Sequence, residues 1–150
     1  MFDTILIPTD GSEYAEAAAQ KGLELAQAHS ARVHVVSIAD AGPLGDIRLP
    51  GDATSAEDAI SGKAAEYVEN IAETAAERDL EVTSAVRTGS PGEQILEAAD
   101  EVDADVIVMG TRGRGGVHRM AVGSVTDHVI RFGDVPVFVA DSEPEADVEG

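Results

Sequence analysis

The chain contains no cysteine and no tryptophan, and only 3% of its 150 residues are aromatic. Without cysteine it has no disulfide framework, no thiolate zinc site and no thiol nucleophile. With so few rings, a core must be built from Val, Ile, Leu and Ala, within a hydrophobic content of 43%. Positive charge is also scarce. Ten Lys and Arg stand against 29 Asp and Glu, for a formal net charge of −19, and only Lys21 and Lys63 are lysines. Such a surface repels nucleic acid and anionic membranes. No apolar run approaches the ~20 residues of a membrane span. The opening MFDTILIPTDGSEYAEA lacks the basic start and apolar stretch of a secretory signal. The expectation is a soluble, cytoplasmic protein with no nucleic-acid or membrane partner.

The acidity has two candidate origins, a basic partner or a salt-rich cytoplasm that screens self-repulsion. The acids are scattered over every expected helix rather than gathered in a block, and lysine is depleted, which favours a halophilic, salt-adapted protein.

Apolar runs and helix-period segments alternate along the chain. Thr4 to Pro8 is a short apolar run closed by the turn Asp10-Gly11-Ser12, as in a strand buried on both faces. Glu13 to His29 has helical spacing and a cap in Ser12 or Asp10. Val33 to Ala39 reads as a strand, and residues 40–55 as a long surface loop rich in Gly, Pro and Asp. Ala56 to Asp79 reads as a helix, Glu81 to Thr88 as a strand, and Pro91 to Val102 as a helix with proline in its first turn. Asp105 to Met109 is a strand, Ser124 to Phe132 a helix and Val135 to Ala140 a last strand. Residues 1–140 are expected to form a single domain, and residues 141–150 an acidic, disordered tail. Five strands separated by four helices imply right-handed crossovers and a doubly wound α/β fold with a parallel sheet.

One window departs from this composition. From Val106 to Thr126 the chain carries no Asp or Glu, where its average acid content would place about four. The same window holds five glycines and the three arginines Arg112, Arg114 and Arg119. It follows an apolar strand, and open parallel sheets bind ligands beyond the carboxyl ends of their strands. Glycines admit close backbone approach, and Gly123-Ser124 opens a helix whose first N–H groups suit a phosphate. A polyanionic small molecule is the expected ligand. A merely flexible connection is the plainer alternative. The Walker loop is absent, since neither lysine lies there, and the dinucleotide fingerprint fails because Gly113-x-Gly115-x-x ends in His118.

The pattern Gly110-x2-Gly113-x9-Gly123-Ser124 after Val106-Ile-Val-Met109 resembles the nucleotide-binding signature of the universal stress protein family. Ile5-Leu-Ile-Pro-Thr-Asp10 and Val135-Pro-Val-Phe-Val139 are similar to the family's first and last strands, so the resemblance spans nearly the whole chain. It implies a five-stranded sheet of order 3-2-1-4-5 with helices on both faces, and an ATP site between strands 1 and 4, with Mg2+ carried on the phosphates. It implies that Pro8, Thr9 and Asp10 border the adenosine, with Asp10 reaching the ribose, and that Ile38 offers backbone groups to the adenine. Met109 and Gly110 would line the ribose side, Gly113 and Gly123 would admit the phosphates, and Ser124, Val125 and Thr126 would donate to them. Arg112 is added on the strength of the acid-free window alone. The resemblance also implies an antiparallel homodimer through Val135 to Ala140.

Plainer roles stand beside these. Asp10 and Ser124 are good helix caps, Met109 and Ile38 good core residues, and the four histidines show no metal spacing. No catalytic residue is assigned: the window offers no lysine and no carboxylate to orient water, so the expected activity is that of a nucleotide-dependent regulator, at most a slow ATPase. An ATP-dependent adenylating enzyme is the alternative, though Thr9-Asp-Gly-Ser12 matches its pyrophosphate loop poorly. If salt adaptation explains the charge, the melting temperature should be markedly higher in ~2 M than in ~0.1 M KCl, as the screening length falls from ~10 Å to below ~3 Å. Equal melting temperatures would instead favour a basic partner.

Overall fold

The computed structural model describes residues 2–39, 56–110 and 124–140, with side chains from residue 62 onward in the second segment. The expected surface loop at 40–55, most of the glycine-rich window and the acidic tail lie outside them. The elements are β1 (Thr4–Pro8), α1 (Glu13–His29), β2 (Arg32–Ala39), α2 (Ala56–Glu77), β3 (Val82–Thr88), α3 (Pro91–Val102), β4 (Val106–Gly110), α4 (Ser124–Phe132) and β5 (Val137–Ala140). The sheet is parallel throughout, in the order β3-β2-β1-β4-β5.

Side chains alternate across the strands, and each face collects its own helices. Ile5, Ile7, Val33, Val35, Val106 and Val108 pack under α1 and α2, through Ala19, Leu23, Ala26, Val68, Ile71 and Ala75. Leu6, Val36, Ile107 and Met109 pack under α3 and α4, through Ile95, Ala98, Ala99 and Val129. Every residue of β1 is buried, so this central strand is apolar without alternation. Close helix packing relies on small residues. A methyl group on Gly22 of α1 would come within 2.7 Å of the Ile7 side chain.

Three helix ends differ from the usual glycine signal. Ser30, Asp79 and Asp103 each take a left-handed conformation, with φ of 53°, 62° and 55°. Asp79 therefore lies beyond α2, which ends at Glu77 rather than at Asp79 as the periodicity predicts. β5 begins at Val137 rather than Val135. Pro136 has no N–H to offer a ladder, although its carbonyl still accepts from the Ile107 N–H at 2.9 Å.

Edge strand β3 is tied to α3 by Arg87, whose guanidinium donates to Gln94, Glu97 and Glu101, one helical face spaced at three and four residues. The Glu101 carboxylate, hydrogen-bonded by this guanidinium, is held below its ordinary range.

At the amino end of the sheet, β1 and β4 are joined by Asp105. Its carboxylate accepts from the N–H groups of Asp3 at 2.8 Å and Thr4 at 3.0 Å, and its own N–H donates to the Thr4 carbonyl at 2.8 Å. The two amide bonds hold the Asp105 pKa below the ordinary carboxylate value. A depressed carboxylate stabilises the fold fully above its unfolded pKa of ~3.9, and that contribution is lost as pH falls through the lower folded value. Asp105→Ala should therefore cost on the order of 1 kcal/mol at pH 7, discounted for exposure, and the gap from wild type should close in acid. Denaturant melts at pH 7 and pH 3 check this; a gap that is constant with pH would contradict it.

Candidate functional site

In a strand, the N–H and C=O of one residue point to the same neighbour and those of the next residue to the other. The Asp3 carbonyl accepts from the Arg32 N–H on the β2 side, and the Thr4 carbonyl accepts from Asp105 on the β4 side. Thr9 donates to the Val36 carbonyl at 2.9 Å, again toward β2. By this alternation Leu6 and Pro8 face β4, and Pro8 has no hydrogen to donate. The pairing registers follow. β1 pairs with β2 over all five residues from Thr4 to Pro8, but with β4 only at Ile5 and Leu6. β4 instead pairs onward with β5 through Gly110. The β1–β4 ladder thus ends short of Pro8 on one side and of Met109 and Gly110 on the other, at the point where strand order reverses. Open α/β sheets bind their ligands at this place.

Local bonds shape the loop leaving β1. The Gly11 N–H donates to Thr9 Oγ1 at 3.2 Å, the Ser12 N–H donates to Asp10 Oδ1 at 2.9 Å, and Ser12 Oγ accepts from the Ala15 N–H at 3.1 Å. Ser12, not Asp10, is therefore the N-cap of α1. Asp10 is half-buried and oriented by the loop amide. On the first turn of α1, burial pushes the Glu16 carboxyl up from its ordinary value.

The opposite wall is the start of α4. The Thr126 hydroxyl, buried to 4% exposure, donates to the Gly110 carbonyl at 2.9 Å and pins the helix to the end of β4. Its hydroxyl proton is thereby used within the protein, which leaves the backbone N–H as Thr126's donor toward a ligand. The first N–H groups of a helix have no partner inside it and carry its positive end. On α4 these belong to Ser124, Val125 and Thr126.

The fold thus brings Pro8, Thr9 and Asp10 to one side of the crevice, and Met109, Gly110, Ser124, Val125 and Thr126 to the other. Ile38 stands at the carboxyl end of β2, with its side chain against the α3 and α4 core. The Met109 side chain is 6% exposed in the same core. Arg112, Gly113 and Gly123 lie outside the described residues. Among the described residues, no three His, Asp or Glu side chains gather in a metal-holding group, and no helix is long and apolar enough to cross a membrane.

Two further residues shape this corner. Gly11 has φ of +80°, and the ring of Tyr67 from α2 packs against it. The turn signal marks Gly11, but helical spacing gives Tyr67 only a place on α2.

Comparison with known proteins bears on this geometry. The sequence model of the universal stress protein family matches residues 1–141. The chain belongs to the universal stress protein family. It is 37% identical over 145 residues to a universal stress protein of Thermus aquaticus, covering 93% of this chain and 98% of that one. The solved structure of the Methanocaldococcus jannaschii protein MJ0577 superposes with a TM-score of 0.79 at 25% identity, covering 95% of this chain and 98% of the other. A universal stress protein from Archaeoglobus fulgidus, solved in complex with dAMP, is 26% identical with a TM-score of 0.61, covering 93% and 97% of the two chains. The parallel order β3-β2-β1-β4-β5 is the one the resemblance to the family implies.

If proline ends the β1–β4 ladder, Pro8→Ala restores a donor aimed at β4. The amide created at position 8 should then exchange with solvent at least about tenfold more slowly than an exposed amide. If it exchanges as freely as an exposed one, something other than the missing N–H parts the strands.

Proposed function

We propose that this universal stress protein binds an adenine nucleotide, Mg-ATP, in the crevice between β1 and β4, and acts as a nucleotide-dependent switch or interaction module in a stress response. The observation that carries the reading is the opposite character of the two walls. The β1 side presents the half-buried Asp10 carboxylate, an acceptor suited to ribose hydroxyls. The β4 side presents the amino end of α4, suited to phosphate, and leads out of the acid-free window with its arginines. A nucleotide has the same polarity, sugar at one end and anion at the other. The relative from Archaeoglobus fulgidus in complex with dAMP supports the adenine nucleoside as the class.

In this reading Pro8, Thr9 and Asp10 border the adenosine, and the backbone at Ile38, Met109 and Gly110 lines the base and ribose. Gly113, Gly123, Ser124, Val125, Thr126 and Arg112 receive the phosphates, and Mg2+ enters bound to them. Without a carboxylate or lysine in the window, the chain holds ATP rather than turning it over rapidly. Calorimetry in ~2 M KCl should show Mg-ATP binding, and Gly123→Val should weaken it at least about tenfold by filling the phosphate approach. Unchanged affinity would remove the loop from the site. Mass spectrometry of nucleotide released from the purified protein identifies ATP, ADP or AMP as the physiological form.

The second part of the proposal is a homodimer through β5. This strand ends the sheet, carries no charge, and leaves Phe138 45% exposed. Nearby on α4, Phe132 is 68% and Ile130 48% exposed. Val137 packs into the α3 and α4 core, so a clean test alters Phe138 instead. Light scattering in high salt should give a dimeric mass for wild type and a monomeric one for Phe138→Arg. A monomeric wild type, or an unaltered dimer in the variant, would rule this interface out.

A further inference from the structure

The two tyrosines of the chain stand at one corner of the molecule, Tyr14 in the first turn of α1 and Tyr67 on α2 against the β1–α1 loop. Tyr67 does not sit like the rest of its helix face. Its neighbours at helical spacing, Ala64, Val68, Ile71 and Ala75, are buried, and Val68, Ile71 and Ala75 belong to the core under α1 and α2. Tyr67 is half-buried and outside that cluster. Its ring lies flush on Gly11: a methyl group built there would fall on Cε1 and Cζ and come within 2.7 Å of Cδ1. Gly11 is therefore glycine for two reasons, its φ of +80° and the ring that occupies the place of a side chain.

The contact leads directly to the crevice. The conformation at Gly11 sets the direction of the next amide, Ser12 N–H, which donates to Asp10 Oδ1 at 2.9 Å. Gly11's own N–H donates to Thr9 Oγ1 at 3.2 Å. A four-residue loop with one left-handed glycine is a soft element, which hydrogen bonds of roughly 1 kcal/mol each leave room to move. The aromatic ring adds a constraint from the outer side. We propose that Tyr67 is a positioning residue of the nucleotide site, whose ring locks the Gly11 turn and thereby orients the Asp10 carboxylate toward the ligand. This rests on the nucleotide reading for its ligand, while the locking of the loop is a property of the free protein.

The test separates the two. In ligand-free full-length protein, exchange of the Gly11 and Ser12 amides should quicken at least about tenfold in Tyr67→Ala, while the Ile5 and Ile7 amides in β1 stay as protected as in wild type. In the same variant, calorimetric affinity for dAMP and for Mg-ATP should fall about tenfold or more. Tyr67→Phe, which keeps the ring and drops the hydroxyl, should match wild type in both. Tyr67→Leu serves in place of Tyr67→Ala if the alanine variant fails to fold. Unchanged exchange at Gly11 and Ser12, or a phenylalanine variant as impaired as alanine, would overturn the proposal. If wild type binds neither nucleotide while the exchange result holds, the nucleotide reading falls and the positioning of the loop by Tyr67 stands.

Discussion

The crevice depends on a missing hydrogen. β1 is fully buried, paired with β2 along its whole length, and tied to β4 at the amino end by Asp105. Its next donor toward β4 after Leu6 would come from residue 8, and residue 8 is proline. From there β1 stays with β2, through Thr9 and Val36, while β4 stays with β5 as far as Gly110 and Ala140. The β1–β4 ladder is complete at the amino end and stops where the last cross-strand bond can form. The topology places this opening at the strand-order reversal, where the β1–α1 loop and the start of α4 converge.

The walls of that opening are held by different means. On the β4 side, the Thr126 hydroxyl ties the start of α4 to the Gly110 carbonyl at the end of β4. On the β1 side the Thr9 N–H holds the strand end to the Val36 carbonyl of β2, and the loop beyond is shaped by its own amides and by the Tyr67 ring from a helix far away in sequence. One wall is anchored by a side-chain hydrogen bond and the other by backbone bonds together with packing against a glycine. The second is the wall that carries the carboxylate. The net charge of −19 repels polyanions in general, and the longest acid-free run of the sequence, Val106 to Thr126, adjoins this end of the sheet.

Where local chemistry decides a boundary, sequence suffices. β1 ends at Pro8, α3 starts at Pro91, and α4 runs from Ser124 to Phe132 as spacing implies. Sequence misleads where the deciding residue hides its conformation. Helix ends at Ser30, Asp79 and Asp103 use left-handed backbone without glycine, and for α2 this makes periodicity count Asp79 as helix. The strand order rests on the resemblance to the family, since alternation alone gives a parallel sheet without its order. Of the candidate site, Asp10, Gly110 and Thr126 are named by the resemblance to the family, and the fold brings them to the same end of the sheet. Two things are beyond reach. That Thr126 donates to Gly110, and that Tyr67 of α2 meets Gly11 of the first loop, are long-range facts with no periodic signature.

The central claim is that an adenine nucleotide occupies the place where β1 and β4 part. Amide NMR during titration with dAMP in concentrated salt tests it most directly. The account predicts shifts at Thr9, Asp10, Gly11 and at Ser124 to Thr126, with Asp3, Thr4 and Val106 at the closed end unmoved. Saturable shifts confined to the closed end or to the β3 edge, or none at all, would contradict it.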